Sequence, residues 1–388
     1  MAHTLISFLG RVPKQVAGYR PTTYSFDGVL DEPTAFIGWS LRRRLTPDRL
    51  VILGTAGSMW DHLFERDIDL GTVAEDERLA LQEATENRTV TAELLKPLAP
   101  VLQQRLGCEV RLALIPYCHN EAEQLDLLTI MATQVELGDR VSLDVTHGFR
   151  HLPMLALLSA MHLRVVRNAH IEGIYYGAYD HDSGAAPVVD LSGLLRIADW
   201  LDALSTYDKD GDYGVFAKLL GPAGDQLAKA AFFERTSNPV KARAALNTWI
   251  NRAERYPDAD PAAHLFREPL EERVRWFRQP NRPAWEKSLA WEYLDHQDYV
   301  RAAIYGLEAV ISSEAAQCGQ DIGSFDYRDA LREKLKHTRD GFRMLGHLRN
   351  ALAHGLRPFN KDIERIISDE DNLRNTLKSL FTQLLGKP

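Results

Sequence analysis

An α/β domain of Rossmann type followed by an all-helical domain is the fold class that this sequence predicts. Three observations carry that prediction. Short β-type apolar runs alternate with longer helical patterns through the first half, and the β-type runs cease near Leu191. The chain, at 388 residues, is also longer than one ordinary core holds. The predicted division is an α/β domain over 1–190 and a helical domain over 191–388.

The first strand is Leu5–Leu9 and the second Leu50–Leu53. Val110, Leu112 and Leu114 mark a third, Val141, Leu143 and Val145 a fourth, and Ile171–Tyr176 a fifth, with Pro187–Val189 a further candidate. Helical patterns occupy 34–46, 75–106, 119–137 and 150–167 between them. Strand and helix in alternation predict a parallel sheet covered on both faces, with ligand sites beyond the carboxyl ends of its strands. In the second half the helical patterns run over 191–206, 213–232, 240–255, 262–278, 283–294, 298–316, 326–355 and 361–385.

Lys plus Arg is 46 and Asp plus Glu 54, a net charge of −8, which argues against coating nucleic acid by bulk charge and leaves room for a local basic site. Cys108, Cys118 and Cys318 have no CxxC spacing, so neither a disulfide scaffold nor a zinc knuckle is indicated. The opening residues lack the basic and apolar regions of a signal peptide, and no apolar run approaches the ~20 residues that span a bilayer. The chain therefore reads as cytoplasmic, with no membrane partner.

Three turns converge on the predicted carboxyl edge of the sheet. Gly10 follows the first strand, Gly54-Thr55-Ala56-Gly57-Ser58 the second, and Asp144-Val145-Thr146-His147-Gly148-Phe149-Arg150 the fourth. In the last, Thr146 offers a hydroxyl, Gly148 admits close approach to the backbone, and the following helix presents free N–H groups to an anion. Simple N-capping by Thr146 beside a surface histidine accounts for the same residues. The Gly54 turn is neither a Walker A loop nor GxGxxG, which also disfavours a nicotinamide-dependent oxidoreductase. Asp208, Asp210 and Asp212 imitate the start of a calcium loop, but Tyr213 stands where glycine is required and Leu219 where glutamate is, so the segment reads as a solvated turn.

Arg349-Asn350-Ala351-Leu352-Ala353-His354-Gly355 closes a long helical pattern, with Pro358 beyond. Arg349 supplies a permanent charge for a phosphate, Asn350 can orient its neighbours, and His354 sits at the negative end of a helix dipole. Between Gly341 and Ile366 five Lys or Arg face two Asp or Glu. At ~100° per residue, Arg349 and His354 lie roughly 140° apart around the helix, so they are not one stripe. A phosphate meets both only near the helix end or in a groove, and a twofold dimer would supply such a groove. A helix C-terminus with favourable cations is the other reading.

Together these motifs resemble a known family. Asp144-Val145-Thr146-His147-Gly148 is similar to the motif of the DxTHG family of CRISPR-associated proteins, and Arg349–His354 resembles the Arg-x4–6-His signature of HEPN ribonucleases, including the Asn after Arg. Leu5–Gly10 and Leu53–Trp60 also resemble that family's first and second strand turns. The resemblance implies an N-terminal CARF domain that binds a cyclic oligoadenylate, cyclic tetra-adenylate foremost. It also implies a C-terminal HEPN domain whose dimer, or higher even oligomer, cleaves single-stranded RNA in type III CRISPR defence without a metal or other cofactor; no DNA substrate is expected. Carried over by motif, Thr146, His147 and Gly148 hold the activator with Gly10, Thr55 and Ser58, while Arg150 is added on physical grounds for a ligand phosphate. The resemblance further implies that Arg349 stabilises the charged phosphorane and His354 assists proton transfer, or that either mainly positions the phosphate, with Asn350 orienting the pair and 2′,3′-cyclic phosphate products. Residues 237–291 have no counterpart in the resemblance and mark a candidate insertion. The alternatives are a sensing module whose helical half serves only assembly, and a ring nuclease that cleaves the cyclic activator at the CARF site.

Overall fold

The computed structural model describes residues 1–12, 21–65, 68, 70–148, 152–179, 184–252, 256, 260–354 and 361–387. Its chain divides into two compact units, Met1–Arg196 and Ile197–Pro388, and the division falls within the helix Gly193–Asp210.

The first unit is built on eight strands: β1 (His3–Leu9), β2 (Thr23–Phe26), β3 (Val29–Leu30), β4 (Arg49–Gly54), β5 (Glu109–Leu114), β6 (Arg140–Asp144), β7 (His170–Gly177) and β8 (Ala185–Asp190). They form one sheet in the order β3-β2-β8-β7-β6-β1-β4-β5. The predicted strands are all present, and the core β7-β6-β1-β4-β5 is parallel as expected. The sheet as a whole is mixed, because β8 runs antiparallel to β7 and β3 antiparallel to β2. Strands β2 and β3 were not expected. At four and two residues they are too short for an alternating pattern to stand out in the sequence.

Strand β1 is buried along its whole length because helices cover both sheet faces. Alternation of side chains sends Leu5 and Leu9 into one apolar layer with Leu50 and Ile52, under helices such as Ile37–Leu45 and Glu75–Asn87. Ile6 and Phe8 enter the other, with Val51, Leu53, Val141 and Leu143, under Glu121–Thr133 and Leu152–Val166. The expected helix over 75–106 is broken into Glu75–Asn87, Ala92–Leu95 and Ala99–Leu106. Arg88 closes the first of these in the left-handed conformation.

Strand order fixes where a ligand edge can lie. After β1 the chain forms the β2/β3 edge, then comes back to lay β4 and β5 on the opposite side of β1, and finally places β6 directly against β1 on the side of that edge. The pair β1/β6 is therefore the switch point, where the connections leaving two neighbouring strands diverge and open a crevice.

The second unit is helical, as expected, with an aromatic core that includes Trp200, Trp249, Trp276, Tyr305, Phe342 and Phe381. Its central helix, Tyr299–Gln317, packs so closely that a Cβ on Gly306 would come within 2.5 Å of the Phe381 ring. The long pattern over 326–355 is two helices, Phe325–Thr338 and Asp340–His354, separated at extended Arg339. Asp208 and Asp210 belong to the helix Gly193–Asp210 rather than to a solvated turn, and Asp208 pairs with Arg273. Asp212 accepts from Gly214 N at 2.8 Å and pairs with Arg235.

Candidate functional site

The switch point brings Gly10 and Gly148 together. A Cβ on Gly10 would stand 2.6 Å from Gly148 N and 2.9 Å from its Cα, so the turns after β1 and β6 touch backbone to backbone. Gly148 has φ 144°, a conformation that other residues rarely adopt. Sequence reasoning anticipated both glycines; their mutual contact needed the strand order.

Beneath this contact lies a buried carboxylate. Ser7 and Asp144 are register partners on β1 and β6, and the Ser7 hydroxyl donates to Asp144 Oδ2. Thr146 N donates to Asp144 Oδ1 at 2.9 Å, curling the chain back over the strand end. Burial pushes the Asp144 carboxyl up to about 6, against the pull of those donors. Ser7 was missed by sequence reasoning, although a serine within the apolar run Leu5–Leu9 was a usable signal.

The Thr146 hydroxyl accepts from Gly177 N at 2.8 Å, tying the turn to the end of β7, and the described helix begins at Leu152. His147 stacks on Phe36 with ring centroids 5.7 Å apart. Its Nε2 is closed off from solvent, and desolvation lowers its pKa to about 4, so the ring is neutral at physiological pH. The surface-histidine reading is thereby corrected: an aromatic neighbour far away in sequence shelters it. Arg150 lies outside the described residues.

Thr55 and Ser58 are 3% and 2% exposed, and their hydroxyls are engaged inside the turn. Ser58 Oγ donates to Leu9 O at 2.6 Å and accepts from Thr55 N at 2.9 Å; Thr55 Oγ1 accepts from Gly57 N at 3.3 Å. Met59 N donates to Gly10 O at 3.0 Å. These residues thus pin the β4 turn to the end of β1 and shape the edge from beneath. Further groups that sequence reasoning did not select stand on the same side. Arg11 donates to Gly57 O at 3.0 Å and Thr85 O at 2.8 Å. After β5, Tyr117 stacks on His119, and its hydroxyl would lie 2.6 Å from a Cβ on Gly57.

In the helical unit, Arg349 and Asn350 line a cleft of about 480 Å³ between the helices Phe325–Thr338 and Asp340–His354. Phe342, Leu345 and Leu348 bury the inner face of the second helix. His354 is exposed at its end and is not among the residues that line the cleft. Gly355 and Pro358, read as the helix stop, lie outside the described residues. Among the described residues no group of three His, Cys, Asp or Glu side chains could hold a metal ion, and no helix is long and apolar enough to cross a membrane.

Comparison with known proteins agrees with the first unit. Residues 4–180 match the family model described as "CRISPR system endoribonuclease Csx1, CARF domain". The chain is also similar to "CRISPR-associated protein MJ1674" of Methanocaldococcus jannaschii, 27% identical over 230 residues. That match covers 54% of this chain and spans only 36% of the relative's length. The family match takes in most of the N-terminal unit, which therefore carries a CARF domain.

Proposed function

We propose that the CARF unit binds a cyclic oligoadenylate, cyclic tetra-adenylate foremost, and that binding activates a metal-independent, single-stranded RNA endonuclease in a HEPN-type helical unit. The observation that carries the ligand half is the contact of Gly10 with Gly148 at the β1/β6 switch point. Backbone groups there lie bare of side chains, which suits the phosphates of a ring lying across the edge. Thr146, His147 and Gly148 contact the activator, Thr55 and Ser58 set the turn beneath it, and Arg150 reaches a phosphate.

The nuclease half rests on Arg349 and Asn350 sharing a cleft wall, with His354 on the same helix. The RNA 2′-hydroxyl attacks its own phosphorus; the new P–O2′ bond forms as P–O5′ breaks. His354 assists proton transfer, Arg349 stabilises the charged phosphorane, and Asn350 orients the pair. The products are a 2′,3′-cyclic phosphate and a 5′-hydroxyl. Within one protomer Arg349 and His354 face different directions, so the complete site draws on two copies. Met154, Leu158, Met161 and Val165, exposed at i, i+4, i+7 and i+11 of the helix Leu152–Val166, form the apolar stripe that supports a homodimer.

The test uses purified protein and labelled single-stranded RNA in EDTA, with and without each cyclic oligoadenylate. Cleavage that requires the activator and survives EDTA is expected. Activator binding without cleavage would leave a sensing module, and loss of the activator itself would point to a ring nuclease.

A further inference from the structure

The helix Asp340–His354 carries more chemistry than its Arg-x4-His segment uses. Opposite its buried residues, Arg343, His347, Asn350 and His354 are all exposed. Their spacing is i, i+4, i+7 and i+11, which at ~100° per residue keeps them within roughly 40–60° of one another. At ~1.5 Å per residue the stripe is about 16 Å long, more than one phosphate needs. Arg343, His347 and Asn350 also line the cleft, and Lys336 faces them from the helix Phe325–Thr338.

Charge in this cleft runs against that of the chain. Six basic side chains line it against the acidic Asp329 and Glu333, in a protein of net charge −8. Lys336 pairs with Glu333 and Arg343 with Asp340, each at 2.5 Å between exposed residues three apart on a helix. Such surface pairs add little to stability, so a phosphate can displace the carboxylate at little cost. Among the described residues neither Arg349 nor His347 forms an ion pair.

We propose that this cleft is an extended RNA-backbone subsite, in which Lys336, Arg343 and His347 hold phosphates beyond the scissile one. The proposal rests on the nuclease reading above and adds the path of the substrate. A continuous strand laid along the stripe from Arg343 reaches Asn350 and then His354. Phe342, the one Phe, Tyr or Trp among the lining residues, is 1% exposed, so the larger rings that bind bases most strongly are closed off here. The grip is therefore on the backbone, and base preference from this subsite is weak.

The test is the variant Lys336→Ala/Arg343→Ala/His347→Ala in the full chain, with activator and long single-stranded RNA. KM rises at least about tenfold while kcat stays within about twofold, and a dinucleotide substrate shows neither change. Each single-strand phosphate contact contributes about 0.7 to the slope of log affinity against log salt, so the slope becomes shallower by about 2. Glu333→Gln, which removes a cleft carboxylate, tightens RNA binding a few-fold; Arg343→Lys retains it. Wild-type KM and salt slope in the triple variant would overturn the subsite while leaving the nuclease reading intact. If the wild type cleaves no RNA under any activator, the nuclease reading fails. Fluorescence anisotropy with labelled RNA then still decides the cleft, and equal affinity of wild type and triple variant overturns it.

Discussion

Replacing Gly10 with alanine places one methyl group against a backbone that cannot turn aside. The new Cβ would lie 2.6 Å from Gly148 N and 2.9 Å from Gly148 Cα, where ordinary contact begins at 3.4 Å. One turn must withdraw by about 0.8 Å, and overpacking of this kind costs ~1–3 kcal/mol. Because both turns form the proposed activator edge, the displacement falls on the ligand site itself. The ligand contacts made by the displaced turn weaken, and a loss of about tenfold in affinity for cyclic tetra-adenylate corresponds to ~1.4 kcal/mol of those contacts. The melting transition of the CARF unit also falls, by ~2–4 °C for each kcal/mol lost in a domain of this size. Titration calorimetry with cyclic tetra-adenylate and calorimetric melting measure the two effects separately. Gly193→Ala, where nothing lies within 4 Å of the added Cβ, is the control and changes neither. If Gly10→Ala melts like wild type, the two turns are not in contact in solution and the switch-point argument fails. If it melts lower but binds the activator with wild-type affinity, the contact is structural and the ligand lies elsewhere.

Asp144→Asn tests the buried carboxylate. Asp144 is raised to about 6, so it stays protonated in the fold after the unfolded chain has ionised, and its contribution falls as pH rises from about 4 to about 6. His147 is lowered to about 4, so its neutral burial acts oppositely: stability falls as pH drops from about 6.5 to about 4. The two nearly cancel in the wild type. Denaturant titrations of Asp144→Asn should therefore gain stability with rising pH over that window, relative to wild type; parallel pH profiles would contradict the assignment. In the helical unit, burial raises Glu234 to about 8, with Tyr293 Oη donating to it at 2.6 Å. The wild type loses stability as pH rises from about 4.5 to about 8, at up to ~1.4 kcal/mol per pH unit, and Glu234→Gln flattens that slope. An unchanged slope would mean that Glu234 is ionised in the fold. Arg349→Ala and His354→Ala each lower activator-dependent RNA cleavage by ~10²–10⁴ while affinity for the activator stays within a few-fold. Wild-type rates from both variants would remove the nuclease from the helical unit.

The sequence alone determined the order of events along the chain. Apolar pentads such as Leu5–Leu9 and tetrads such as Leu50–Leu53 are strands because they are short, apolar and bounded by glycine. The loss of such runs after Leu191 marked the helical unit, and the composition of the turns selected Gly10, Thr146, His147 and Gly148. What it left open were the relations that depend on which strand lies beside which. The place of β6 next to β1 rather than β5 sets Gly10 on Gly148 and Ser7 on Asp144, residues more than 130 positions apart. No local pattern encodes that adjacency, since it comes from the long crossover that carries the chain back across the sheet. The same limit explains His147, whose neutrality comes from desolvation in the fold, where the distant Phe36 ring stacks on it. It also explains Thr55 and Ser58, whose hydroxyls are composed like ligand groups but face Leu9 O and their own turn. In the helical unit, periodicity places Arg349 and His354 apart around one helix. The packing of Phe325–Thr338 against Asp340–His354 decided which of them meets a cleft, because a cleft belongs to two helices and a periodicity to one.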